Sequence, residues 1–127
     1  MDDCIFCKIV KGEIPSTKVY EDEDILAFRD IEPIAPVHVL VIPKKHFNDF
    51  DDIDLETLNH IMKVAKDIKK KIMNTIKPDG VLLLQYGELV KHFHLHLIPF
   101  TNRDVTISSK TEKKNSVEEI YKKLMED

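Results

Sequence analysis

One short stretch constrains this chain more than any other. Residues 90–99 read Val-Lys-His-Phe-His-Leu-His-Leu-Ile-Pro, with histidine at 92, 94 and 96 and Phe93, Leu95 and Leu97 in register after each. Side chains of an extended strand alternate between faces with period two. A strand here therefore carries three imidazoles on one face and hydrocarbon on the other, with successive rings roughly 6.6 Å apart. Half of the chain's six histidines fall within these five residues, which argues against a chance histidine-rich edge strand. Neutral imidazole serves as metal ligand and as catalytic base or nucleophile near pH 7. Taken alone, the triplet does not separate a metal site from a nucleophile with supporting rings.

The bulk numbers bound the rest. A chain of 127 residues is expected to form one domain and to bury a real core. Its net charge of −4, with charges of both signs well mixed, gives no reason to expect a nucleic-acid or membrane-surface partner. No apolar run approaches the ~18 residues of a membrane span, and Met1-Asp2-Asp3 lacks the basic start of a signal peptide. A cytoplasmic protein is expected. Cys4 and Cys7 form a C-x-x-C, which in a reducing compartment reads as metal or redox chemistry. A thioredoxin-type redox pair follows a strand, and none precedes residue 4, so the redox reading is the weaker one.

Along the chain, Ile5, Phe6, Ile9 and Val10 define one face of a short helix that Gly12 can stop. Residues 18–21 and 25–29, separated by Asp22-Glu23-Asp24, predict a β-hairpin with an acidic turn. Residues 30–36 hold two prolines and predict a loop. Residues 37–42 form a branched, apolar strand ended by Pro43, with His38 conspicuous inside it. The acidic run 51–54 offers helix N-caps. Leu55, Leu58, Ile61, Met62, Ala65, Ile68, Ile72 and Ile76 then recur at steps of three and four, predicting a long amphipathic helix that Lys77-Pro78-Asp79-Gly80 ends. Its lysines read as a solvated face in preference to a phosphate patch, and His60, off the stripe, reads as a surface residue. Residues 81–86 and 90–98 predict a second hairpin with a tight turn at Gly87-Glu88. Residues 101–114 are polar and aperiodic, and Asn115 or Ser116 is expected to cap a last helix. The order predicts an α+β fold: an antiparallel sheet of about five strands covered by one long helix, with short N-terminal and C-terminal helices. The expected division is a domain over residues 1–100 and an extension over 101–127.

Five blocks then stand together: Cys4-Ile-Phe-Cys7-Lys-Ile-Val, Gly12-Glu-Ile-Pro15, Ala27-Phe-Arg-Asp30-Ile31, Val37-His38 through Pro43-Lys-Lys-His46, and His92-Phe-His-Leu-His96. In this order and spacing they resemble the histidine triad (HIT) family, in its branch of small nucleoside phosphoramidases and dinucleoside polyphosphate hydrolases. The resemblance runs from about residue 3 to residue 100. It implies that His94 attacks the α-phosphorus of a nucleotide and forms a nucleotidyl-histidine intermediate that water cleaves. A ring with a reference pKa of ~6.5, crowded by like neighbours, suits that role. His96 would support the phosphate and leaving group, with His38 and His92 as the other active-site histidines. Asp30 would hold the ribose hydroxyls, and Ile5, Phe6, Ile9, Phe28 and Ile31 would wall the base.

The same resemblance implies a structural zinc on Cys4, Cys7, His46 and His92, against the alternative of two inert thiols, and a homodimer. It also exposes departures. The Gly-rich turn before the triad is short, Glu88 and Leu89 stand where phosphate donors are usual, and Phe100 replaces a frequent Arg. Backbone amides near Gly87 and the side chain of Gln85 are the expected substitutes. The alternative to an enzyme is a purine-nucleotide-binding module with little or no turnover.

Overall fold

A computed structural model describes residues 3–87, 90–101 and 117–125. The elements run α1 (Ile5–Val10), β1 (Lys18–Glu21), β2 (Ile25–Arg29), β3 (Val39–Pro43), α2 (Leu55–Thr75), β4 (Gly80–Leu84), β5 (Leu95–Phe100) and α3 (Val117–Leu124). The strands form one antiparallel sheet in the order β1-β2-β3-β5-β4. This is the expected α+β architecture. The first hairpin keeps its expected bounds, and Asp22 ties its turn by accepting the backbone N–H of Asp24 and Ile25, each at 2.8 Å.

Alternation divides the sheet into two cores. Ile25, Ala27, Val39, Val41, Phe93, Leu95 and Leu97 face α2 and meet Ile61, Val64, Ala65, Ile68 and Ile72. Leu26, Phe28, Leu40 and Ile42 face the other way and meet Phe6 and Ile9 of α1. Truncating a fully buried residue such as Ile61 removes roughly 2–5 kcal/mol. Asp54 caps α2, its carboxylate accepting the N–H of Thr57 at 3.0 Å. The ends of the stripe escape burial, Leu55 and Ile76 both being exposed. Gly12 follows the cap of α1 with φ +82, a left-handed turn that suits glycine. Among the described residues, no helix is long and apolar enough to cross a membrane.

Three expectations shift. Strand β3 spans Val39–Pro43, so His38 precedes it. The partner of β4 begins at Leu95 instead of residue 90, and β4 itself ends at Leu84 instead of residue 86. A competing attachment explains this: Phe93 N–H donates to Phe47 O at 2.7 Å, and the His92 ring is drawn toward the cysteines. His60 is half-buried, with Nε2 2.8 Å from Asp22 Oδ2. The expected irregular stretch beyond Thr101, the helix cap at 115 or 116, and Glu88 and Leu89 lie outside the described residues.

Candidate active site and metal centre

The triad keeps its two-faced character although only His96 lies in the ladder. Phe93, Leu95 and Leu97 enter the α2 core, while His92, His94 and His96 turn to the α1 side and are all buried. Edge-on contact with Phe6, 5.0 Å between centroids, braces the His94 ring.

The three rings meet different fates. His92 has both nitrogens engaged. Its Nε2–H donates to the Pro43 carbonyl at 2.8 Å, and Nδ1 faces Cys4 Sγ at 3.3 Å and Cys7 Sγ at 3.5 Å. His94 has one engaged among the described residues: Nδ1 lies 2.7 Å from the His92 carbonyl oxygen, which can only accept. The proton therefore sits on Nδ1, and Nε2 carries a free lone pair. His96 has the opposite tautomer, set by a chain of donors. Ile34 N–H donates to His38 Nδ1 at 3.2 Å, so His38 carries its proton on Nε2 and donates to His96 Nδ1 at 2.9 Å. That leaves the proton of His96 on Nε2, a buried atom with no partner among the described residues. Asp30 Oδ2 lies 3.3 Å from His38 Nε2 and completes the chain. Burial, reinforced by the neighbouring His94 and His38, pulls His96 down to about 4. Burial also lowers His38, against the charge of Asp30.

His94, His96, His38, Asp30, Ile5, Phe6, Ile31 and Tyr86 line one cleft of about 410 Å³. Small-ligand sites occupy roughly 300–1,000 Å³. Four of the expected nucleotide contacts (Asp30, Ile31, Ile5 and Phe6) are thus at its wall. Phe28 and Ile9 lie behind it in the core. Gln85 and Gly87 turn elsewhere: Gln85 Nε2 donates to Asp49 Oδ1 at 3.0 Å, and Gly87, with φ +55, packs its Cα against the same carboxylate. Asp49 was not found from the sequence, where it reads as one acid in a polar loop. Tyr86 was missed as well; its ring stacks on His96.

The second cluster joins Cys4, Cys7, His46 and His92, whose ligand atoms all lie within 4.8 Å of one another. The donor set and spacing fit a tetrahedral zinc. Bonds of about 2.3 Å to sulfur and 2.0–2.1 Å to nitrogen put neighbouring S and N ligands about 3.6 Å apart, and the S···N distances here are 3.3, 3.3 and 3.5 Å. The outer contacts fit too. His46 Nε2 lies 2.8 Å from Asn48 Oδ1, so both histidines present a bare Nδ1 to the thiols while Nε2–H is held by an oxygen. Burial, then the hydrogen bond of its S–H to Cys4, push the Cys7 thiol up to about 11. A bound cation reverses that preference and deprotonates the sulfur.

Comparison with known proteins agrees with this architecture. The HIT domain matches residues 11–103. An adenosine 5'-monophosphoramidase of Candida albicans is 43% identical over 105 residues, covering 76% of this chain and 69% of the relative. A HIT family protein of Bacillus anthracis superposes with a TM-score of 0.80 at 37% identity, covering 97% and 93% of the two chains. A zinc-bound histidine triad family protein of Mycobacterium smegmatis superposes with a TM-score of 0.76 at 35% identity, covering 81% and 78%.

Proposed function

The chain belongs to the histidine triad (HIT) family, and on that premise we propose that it is a nucleotidyl hydrolase or transferase acting at the α-phosphate of a purine nucleotide through His94. The observation that carries this reading is the opposite tautomers of His94 and His96 on one cleft wall: a bare Nε2 beside an Nε2–H. The first can give electrons to phosphorus and the second can give a hydrogen bond to the atom that leaves. The name of the Candida albicans relative points to adenosine phosphoramidates as the first substrates to try.

In the first step the His94 Nε2 lone pair forms an N–P bond. The bond from phosphorus to the leaving group breaks, and the leaving atom keeps its electron pair. The ring becomes cationic, and the His92 carbonyl already facing Nδ1–H stabilises that charge. A bound phosphate anion raises the affinity of His96 for a solvent proton. Imidazolium at 96 then protonates the leaving nitrogen and returns to neutral. Water next attacks phosphorus, the N–P bond breaks, and nucleoside monophosphate leaves with His94 restored. Asp30 holds the ribose hydroxyls while it orients His38 through the 3.3 Å contact. Ile5, Phe6 and Ile31 take the base.

Cys4, Cys7, His46 and His92 would hold a zinc ion, which would cross-link the α1 end to the triad segment and would take no part in the transfer. All these residues lie within 1–100, where we place the activity. A two-fold homodimer is the expected assembly, and the edge position of β4 with its exposed Leu83 supports a joint there. One observation favours the second reading, a nucleotide-binding module: the Gln85 amide is held by Asp49 and is not free for phosphate.

The test is incubation with an adenosine 5'-phosphoramidate, with release of AMP followed and the protein mass read after a denaturing alkaline quench, which preserves an N–P bond. The expected results are AMP and an adduct of one adenylyl group. Saturable AMP binding without AMP release would replace the enzyme with the binding module.

A further inference from the structure

Tyr86 lies just beyond the end of β4, and no role above uses it. Its ring lies 9° from parallel to that of His96, with centroids 5.3 Å apart. The side chain is 49% exposed, so burial alone does not hold it there. Its backbone is instead fixed on both sides. Gln85 is tied to Asp49, Gly87 occupies a left-handed turn against the same carboxylate, and Lys91 Nζ donates to Gly87 O at 3.1 Å. Leu84, the last residue of β4, pairs with His96, and Tyr86, two residues beyond the strand end, lines the same cleft as both. His96 is thereby gripped through Nδ1 by His38, along an edge by the His94 ring at 4.9 Å, and across one face by Tyr86. The free corner is Nε2.

We propose that Tyr86 is a positioning residue, whose ring rather than hydroxyl holds His96 so that Nε2–H meets the atom leaving phosphorus. This rests on the nucleotidyl-transfer reading. The N–P bond forms on His94 in every case. The step that Tyr86 governs is transfer of the His96 proton to the departing atom as the bond from phosphorus breaks. Leaving groups differ in their need for that proton. A departing alkylamine must be protonated, whereas a 4-nitrophenolate is stable as the anion. A loosened His96 therefore slows the first and spares the second.

The test uses the full-length wild type, Tyr86→Phe and Tyr86→Ala on two substrates with one nucleoside, an adenosine 5'-alkylphosphoramidate and the 4-nitrophenyl ester of AMP. Tyr86→Ala is expected to lower kcat on the amine about tenfold, part of the ~10²–10⁴ that a positioned acid supplies. KM on the amine and kcat on the ester should stay within about twofold. Tyr86→Phe should match wild type on both. Equal loss on the two substrates, loss in Tyr86→Phe as large as in Tyr86→Ala, or an unaltered Tyr86→Ala overturns the proposal. A wild type inert toward both substrates overturns the nucleotidyl-transfer reading itself, and the inference with it, which distinguishes that failure from an active wild type matched by Tyr86→Ala.

Discussion

Two clusters share one five-residue stretch and differ in how completely their polar atoms are satisfied. In the cysteine–histidine cluster, each histidine nitrogen has a partner: Nδ1 of His46 and His92 faces sulfur, and Nε2 faces an oxygen. In the cleft, among the described residues, His94 and His96 each have one nitrogen engaged, and the other is left for whatever enters. Satisfied groups stabilise the fold. Groups left unmatched lower stability and gain a partner only when a ligand arrives. Under the proposed function, identical residue types two positions apart divide between architecture and chemistry along this hydrogen-bond accounting.

That contrast breaks first at His94. The His94→Asn variant should lose at least ~10⁴-fold in AMP release while keeping its melting temperature, since the nucleophile is removed and the fold is not. If turnover survives, the cleft is not where reaction occurs. The Cys4→Ser/Cys7→Ser variant should do the reverse. Metal analysis should fall from one zinc per chain to none, and the melting temperature should drop by about 5–10 °C, the scale expected when one to two kcal/mol is lost from a domain of this size. Unchanged metal content would place the ion elsewhere.

A smaller effect follows from His96, whose folded-state pKa of about 4 lies below its unfolded value of ~6.5. Between these values the unfolded chain binds more protons, so stability rises with pH across the window. The contribution is complete above ~6.5 and is lost as pH falls toward 4. Urea unfolding of wild type and His96→Asn at pH 7.5 and 4.5 should differ in their pH dependence by up to about 3 kcal/mol. Parallel curves would show that residue 96 is not held neutral by burial. The smallest effect is at the connection between the clusters. Gln85→Ala removes one hydrogen bond to Asp49 and should cost about 1 kcal/mol in denaturant titration, with AMP release reduced only a few-fold. A loss of AMP release approaching that of His94→Asn would move Gln85 into the reaction itself.

Much of this was legible in the sequence where the cause is local. Two short runs on either side of an acidic turn located the hairpin of β1 and β2, and period-two alternation located the split between imidazole and hydrocarbon at 92–97. The 3.6-residue stripe located α2, and the acidic run 51–54 contained its cap, Asp54. Features set by distant partners were not legible. The late start of β5 depends on cysteines 88 and 85 residues away in the chain. The pairing of His60 with Asp22 crosses 38 residues, which no helical wheel records. The tautomer of His96 depends on the N–H of Ile34, a backbone atom without sequence signature. Tyr86 could have been found by counting two residues on from the partner of His96, once the register was known.

The oxygen that fixes the His94 tautomer is a peptide oxygen, that of residue 92. Every amino acid brings one. The orientation of the reactive ring is therefore inherited by whichever side chain occupies position 92, provided the chain path there survives. Saturation mutagenesis at that position should yield proteins that differ widely in heat tolerance and zinc retention, yet sort far less by their chemical competence. Under the proposed roles, the scaffold could exchange its metal anchor while the nucleophile stays aimed.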